Sequence, residues 1–442
     1  MPKPLVPPKP AVTAKKAPAP VQLTEELSPI RNEATGFEAL RKAAWQWAPP
    51  DVRRLVRRVR AEANALAMEK VPLPVFELWK LRTFDPFVAR ATAVSHDTSG
   101  QHFLILAAVP MSDSGGGQRP AQLALELLSR GHRVTFVQRF PKSTRRKVKT
   151  IFAHQNLTQV RFTDFSARRF AIERGPRERI VTLVELPLPE YVACARYLRG
   201  EGAHVAYDCI EDWGMSEGGG WYAVRSEESL VREVDTVISS TRALADIIEI
   251  RSQRKVTVLP NAVNTRIFHH GHRHERPAGV PAEGPVFLYA GAVSGDWFAW
   301  DWVRGLAQAR PDATVVLVGS YRGQFADAPA NVHFAGARRE TDLPAYIAAS
   351  TVCLVPVRGR RLEKGGPLKL LEYLAMGKPV VASEISEAEG LPGVRIAGTF
   401  EEFVAEVAAA EREPLKADLV AKIVEEHSWT TRVRALEALL GC

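Results

Sequence analysis

The chain has 442 residues, 46% hydrophobic and 25% charged, a size and composition that call for two or three soluble globular domains. A net charge of +9 suits nucleic acid, anionic lipid or phosphorylated substrates, and with no zinc-finger, RNA-recognition or basic-zipper pattern, nucleic acid is the weakest of these. Apolar runs stay below the roughly 18 residues of a membrane span, and Cys194, Cys209, Cys353 and Cys442 stand at no metal-ligand spacing, which argues against a zinc site and for a reducing cytoplasm.

Residues 1–22 are rich in Pro, Ala and Lys and read as a disordered tail without the apolar core of a signal peptide. Residues 23–98 read as a helical extension broken by prolines. Within it, DVRRLVRRVRAEANALAMEK puts Leu55, Val56, Val59 and Ala63 on one helical face and arginines on the other. This reads as a basic helix packed on the body of the protein, with a membrane-surface helix as the alternative.

A different pattern opens near residue 102. FLILAAV has the composition of a buried strand, PMSDSGGGQ is a glycine-rich loop containing Gly116 and Gly117, and RPAQLALELLSR is a helix entered at Pro120 and closed at Gly131. HRVTFV completes a βαβ unit. Further strand-like runs at RIVTLVEL, HVAY, VDTVIS and KVTVL extend one α/β domain over 99–268. HHGHRHERPAGVPAEG, 269–284, reads as a linker whose histidines belong to a polar loop rather than a metal site. The alternation restarts over 285–425 with VFLYAG, ATVVLVG, NVHFAG, TVCLVPV and PVVAS as strands. The last segment, 426–442, is an amphipathic helix carrying Trp429, expected to dock on the body.

The chemistry concentrates in KGGPLKLLEYLAMGKPVVAS. A helix entered at Gly365, Gly366 and Pro367, beyond the carboxyl end of a parallel strand, offers free N–H groups to an anion. Arg358, Arg360, Arg361, Lys364 and Lys369 add positive charge at the same place, and a diphosphate fits that set. Glu372, three residues after Lys369 on the same face, suits the hydroxyls of a ribose. The competing reading is an exposed Lys–Glu pair that only solubilises the helix.

These residues resemble a known group. PLKLLEYLAMGKPVVAS looks like the nucleotide-sugar motif of the GT-B fold glycosyltransferases, in particular the large retaining family that builds bacterial polysaccharides. GGGQRPAQLALELLSRGHRVTFV, AYDCIEDW with EESLVREVDTVISSTRAL, VTVLPNAVNTRIF, and VFLYAGAVSGDWFAWDWVRGLAQARPDATVVLVG resemble further family segments in the family's order, over 100–442. The nearest likeness is to the teichuronic-acid-type and related cell-surface subgroup. The resemblance implies two Rossmann-like domains facing each other across a cleft, an N-terminal acceptor domain and a C-terminal donor domain, with the helical extension in front. The second acid of the family's Glu–seven residues–Glu pattern falls on Glu372, the implied ribose ligand; the first falls on Lys364. Relatives with a Pro-x-Lys-x-x-Glu version share that departure. The loop after Tyr289, AGAVSGDWF, lacks the Arg and Lys that many relatives direct at the diphosphate, and the basic loop from Arg358 to Lys369 is expected to substitute for them.

The expected donor site is therefore Arg358, Arg361, Lys364, Gly365, Gly366, Pro367, Leu368, Lys369 and Glu372, with Gly291 from the first strand–loop of the donor domain. Gly116, Gly117 and Arg119 are expected at the acceptor side. Asp208 and Asp212 in YDCIEDW are the leading catalytic acids, Glu185 and Asp113 weaker ones, and a helix cap is the bland role for Asp212. Charge builds on the departing diphosphate, so positioned cations and helix N–H groups supply much of the rate, and neither a metal nor another cofactor is called for. A retaining reaction proceeds without a dedicated general base; an inverting one needs a carboxylate or His at the acceptor. The stretch between Arg139 and Arg161 contains no acid and suits an anionic membrane leaflet, or is simply a solvated helix face. The expected partners are thus a nucleotide sugar and a glycan or lipid-linked acceptor at the inner face of the cell membrane. Two alternatives have different signatures: a nucleotide-sugar epimerase of the same fold, which isomerises without transfer, and a catalytically degenerate subunit that binds a glycan or a partner enzyme.

Overall fold

The computed structural model describes residues 100–442 apart from 113–117, 141–151, 168–171, 173–177, 215–220, 294–297, 322–324, 326, 359–367, 386, 387 and 389, and before residue 100 it describes 55, 56, 59, 62 and 63. Two α/β lobes follow from the two series of apolar runs. In the N-terminal lobe the strands are β1 (His102–Ala107), β2 (Arg133–Gln138), β3 (Leu157–Arg161), β4 (Ile180–Val184), β5 (His204–Cys209), β6 (Thr236–Ser239) and β7 (Thr257–Val258). They form one sheet in the order β3-β2-β1-β4-β5-β6-β7, with every neighbouring pair parallel. The connecting helices are α1 (Arg119–Ser129), α2 (Phe162–Ala167), α3 (Pro189–Gly200), α4 (Val224–Glu233) and α5 (Arg242–Ser252). Strands β1 and β4 are buried along their whole length, as continuous apolar runs covered by helices on both faces must be.

The C-terminal lobe repeats the plan. Strands β8 (Val286–Ala290), β9 (Thr314–Val318), β10 (Val332–Gly336), β11 (Val352–Val355), β12 (Val380–Ser383) and β13 (Val394–Ala397) form a parallel sheet ordered β10-β9-β8-β11-β12-β13. Its helices are α6 (Trp300–Ala309), α7 (Leu343–Ala349), α8 (Leu368–Ala375), α9 (Phe400–Arg412) and α10 (Ala417–Glu426). The strand order reverses between β1 and β4 in one lobe and between β8 and β11 in the other. Open parallel sheets bind ligands beyond the strand ends at such reversals.

The chain crosses between lobes twice. On the way out, Val263 donates its N–H to His427 O at 2.8 Å; on the way back, Trp429 donates its N–H to Val263 O at 3.2 Å. The final helix α11 (Trp429–Leu440) then packs on the N-terminal lobe: Trp429, Val433, Leu436 and Leu440 share a core with Phe103, Leu127 and Phe136. Glu437 fixes it there by accepting hydrogen bonds from Arg130 and His132. Helix α11 is thus part of the N-terminal lobe although it follows the other lobe in sequence.

Candidate active site

Helix α8 begins after β11, beside the reversal of the C-terminal sheet. Its apolar positions Leu370, Leu371, Tyr373 and Leu374 are buried against its own lobe. Tyr373 fixes its pitch, the phenol oxygen accepting the Ala290 N–H at 2.7 Å from the end of β8. Leu368 packs instead against the core of the N-terminal lobe. Glu372 follows Leu368 by one helical turn, so it lies on the face of α8 that looks across the interlobe gap.

Lys369 and Glu372 are both only partly accessible, not an exposed solubilising pair. The Lys369 ammonium lies 4.9 Å from the centre of the Tyr289 ring and 3.4 Å from its Oη. Gly291 makes room for it: a Cβ there would stand 2.6 Å from Tyr289 Oη and 2.8 Å from Lys369 Nζ. Desolvation governs both charges. It lowers Lys369 to about 8, against a smaller opposing pull from Glu372. It raises Glu372 to about 7, against the pull of Lys369. A third group, Glu340 in the short 3₁₀ turn Glu340–Asp342 before α7, is buried and raised to about 8 by desolvation and then by Glu372. An ammonium without a full counter-charge and a carboxyl poised near neutrality thus sit together at the strand reversal. The first suits a phosphate and the second a diol.

Arg358 takes a different position from the one its sequence neighbourhood suggests. Its guanidinium pairs with Asp301 at 2.6 Å and lies 5.6 Å over the Trp302 ring, drawn to the acid in the first turn of α6. Arg361, Lys364, Gly365, Gly366 and Pro367 fall outside the described residues, as do Gly116, Gly117 and Asp113 in the loop after β1.

In the N-terminal lobe Arg119 and Asp208 meet. Arg119 Nε and Nη2 donate to the two oxygens of Asp208 at 2.8 and 2.9 Å, a bidentate pair with side chains 2% and 8% exposed. The remaining guanidinium nitrogen donates to Asn261 at 3.2 Å in the outward crossover, and the group lies 5.9 Å over Trp429. Arg119 thereby ties the start of α1 to the end of β5 and to both crossings. Both oxygens of Asp208 are thus held by the one guanidinium. Asp212 accepts the Gly214 N–H at 3.2 Å, closing a tight turn. Glu185 stands at the other strand reversal, accepting the Ala108 N–H at 2.7 Å, and burial pushes it up to about 8.

Glu185 has a consequence for stability. The folded protein holds that proton up to about pH 8, whereas the unfolded chain releases it in the ordinary carboxyl range, so over that window the native state binds more protons and stability falls as pH rises. Glu185→Gln keeps an acceptor for Ala108 and removes the charge. It should flatten the dependence, leaving urea midpoints similar at pH 5 and raising stability at pH 9 by roughly 4 kcal/mol.

Gln122 on α1, which donates to Glu340 Oε1 at 3.3 Å, and Glu340 and Tyr289 themselves are the residues around this site that the sequence pattern did not indicate. Gln122 and Tyr289 lie on elements that read as core, and Glu340, in RRETDLP, has the look of an ordinary acid before a helix. Among the described residues no group of three His, Cys, Asp or Glu side chains is placed to hold a metal ion.

The family profile described as "Glycosyl transferases group 1" matches residues 284–412, the stretch that holds Gly291, Glu340, Lys369 and Glu372. No curated protein matches the chain significantly. Among solved structures, Anabaena HepE in complex with UDP shares 14% identity at a TM-score of 0.57, over 77% of this chain and 99% of that one. The sucrose-phosphate synthase of Thermosynechococcus elongatus shares 16% at 0.55, over 77% and 98%. The UDP-forming α,α-trehalose-phosphate synthase of Burkholderia vietnamiensis shares 13% at 0.53, over 78% and 99%. At these identities the likeness is one of fold: two Rossmann-like lobes, the GT-B arrangement.

Proposed function

We propose that the protein is a glycosyltransferase that moves a sugar from a nucleoside-diphosphate donor, held by the C-terminal lobe, to a glycan or lipid-linked acceptor of the cell surface presented at the N-terminal lobe. The observation that carries this is the Lys369–Glu372 pair, desolvated beneath Gly291 at the strand reversal and inside the stretch matched by the glycosyl transferase profile. Glu372 receives the ribose hydroxyls. Lys369 faces the diphosphate and stabilises the charge that grows as the glycosidic bond breaks. The UDP bound in HepE, a protein of this fold, supports a nucleoside diphosphate as the leaving group. Arg361, Lys364 and the Gly365–Pro367 entry remain the proposed partners of that group.

Retention of configuration suits the acids of the acceptor side. Asp208 is held by Arg119 and Glu185 keeps its proton near neutrality, so neither is set to deprotonate an acceptor. Asp212, and Gly116 with Gly117, remain proposed contacts for the acceptor itself.

The enzyme works, on this reading, at the inner face of a membrane. Among the described residues no helix is long and apolar enough to cross one. Surface attachment is supported by Leu55, Val56 and Val59, helical residues that leave 62, 45 and 60% of their area exposed in an arginine-rich stretch rather than packing on the body. Glu62, on the same stretch, accepts the Val224 N–H at 3.0 Å and so anchors it to the start of α4.

One assay series tests both parts. Nucleoside diphosphate release is followed for a panel of sugar donors with acceptor-bearing membranes, beside sedimentation with anionic and neutral vesicles. Release that depends on both donor and acceptor is expected, with binding to anionic vesicles only. Isomerised donor without transfer would point to an epimerase, and no nucleotide binding at all to a glycan-binding subunit. Equal sedimentation with both vesicle types would remove the membrane part.

A further inference from the structure

Besides the Leu368 contact, a buried amide joins the two lobes. Gln122, 3% exposed on α1, donates through Nε2 to Glu340 Oε1 at 3.3 Å, and its Oε1 accepts from Asn264 Nδ2 at 2.9 Å. The donor half of this amide reaches into the C-terminal lobe and the acceptor half holds the outward crossover. One turn further along α1, Glu126 accepts from Arg266 Nη2 at 3.2 Å, so the crossover grips the same helix at two positions four residues apart. Helix α1 and the crossover are therefore tied together, and Gln122 is where that unit touches the donor side. The group it touches, Glu340, is one that Glu372 acts on electrostatically.

We propose that Gln122 is a positioning residue, a latch whose amide joins the N-terminal lobe and the crossover to Glu340 and so couples occupancy of the donor site to closure of the cleft. The proposal rests on the donor-site reading above for its consequence, but its geometry stands on the two hydrogen bonds. Opening the cleft withdraws the amide and leaves Glu340 without that donor, still under the electrostatic influence of Glu372. A donor that engages Glu372 through its hydroxyls changes what Glu340 faces, and the closed arrangement supplies Glu340 with a hydrogen-bond donor. Ligand and closure then favour each other by linkage. A side chain that must accept on one side and donate on the other is served by an amide and not by a carboxylate or an alkyl group.

The test uses the full chain with UDP as probe. Gln122→Ala should bind UDP about three- to tenfold more weakly than the native protein by calorimetry, the factor by which closure and occupancy are linked, while losing about tenfold or more in turnover. In small-angle scattering the native protein should compact on adding UDP and Gln122→Ala should not. The exchanged pair, Gln122→Glu with Glu340→Gln, keeps one amide and one carboxylate across the gap and still offers Asn264 an acceptor, so it should regain compaction; a side chain needed only for packing would not be rescued in this way. Compaction of Gln122→Ala equal to that of the native protein, or an exchanged pair no better than the single substitution, would overturn the proposal. If the native protein binds no nucleoside diphosphate, the donor reading fails. The latch is then decided by ligand-free scattering: an enlarged Gln122→Ala supports it and an unchanged radius of gyration removes it.

Discussion

Lys369→Ala is expected to lower turnover about 10²–10³-fold, the usual effect of removing one preorganised group from developing negative charge in a site shielded from water. The ammonium is suited to that task because it is desolvated and incompletely neutralised: burial has already lowered it to about 8, and its contacts are the face and oxygen of Tyr289 rather than a bonded carboxylate. An arriving diphosphate relieves that penalty. Lys369→Arg should not restore activity, since the space under Gly291 is fitted to a compact charge and a planar fork would collide with it. Glu372→Ala should act differently, weakening donor binding about tenfold or more through the loss of charge-assisted hydrogen bonds to hydroxyls.

The same groups set the sign of the pH dependence. Donor binding favours ionised Glu372, raised to about 7 in the free protein, so binding below that pH releases protons and weakens as pH falls. It also favours protonated Lys369, about 8 in the free protein, so binding above that pH takes up protons and weakens as pH rises. Affinity for UDP should therefore peak between these values. Calorimetry in buffers of different ionisation enthalpy reads the proton count directly. A flat profile between pH 6 and 9 would remove Lys369 and Glu372 from the donor site.

How far this arrangement was legible beforehand depends on the range of the interactions. The two parallel sheets were readable because FLILA, VTLV, VFLYA and VCLV are apolar runs of strand length separated by segments of helical period, a local signal. The place of Lys369 and Glu372 followed from one helix and the strand before it. Their burial did not, because it depends on Tyr289, Gly291 and Glu340 from other parts of the lobe. Arg358 shows the same limit. Its neighbours in sequence suggested a phosphate cluster, but the acid at Asp301, fifty-seven positions away, draws it to α6. Helix α11 shows it for packing: an amphipathic face states that a helix is covered, not which lobe covers it.

The pairing of Arg119 with Asp208 leads to the second large effect, on stability. Both side chains are nearly closed to solvent and bonded through two parallel contacts. Asp208→Ala leaves the guanidinium buried with Asn261 as its remaining hydrogen-bond partner among those described above, and a buried charge deprived of its counterion costs about 3–5 kcal/mol. Arg119→Ala leaves the carboxylate in the same position and should cost a similar amount, with the added loss of the contact over Trp429. The double substitution Arg119→Met with Asp208→Leu should recover most of this, because removing both charges also removes their desolvation. Urea unfolding of the three variants makes the comparison, and double-variant losses equal to the sum of the singles would show that the two residues do not act as a pair. Asp208→Asn separates structure from chemistry. It retains an acceptor for Arg119, so if Asp208 serves as a counterion, turnover per folded molecule should stay within about threefold of the native protein, whereas a carboxylate that moves a proton in the reaction should cost about 10²-fold or more.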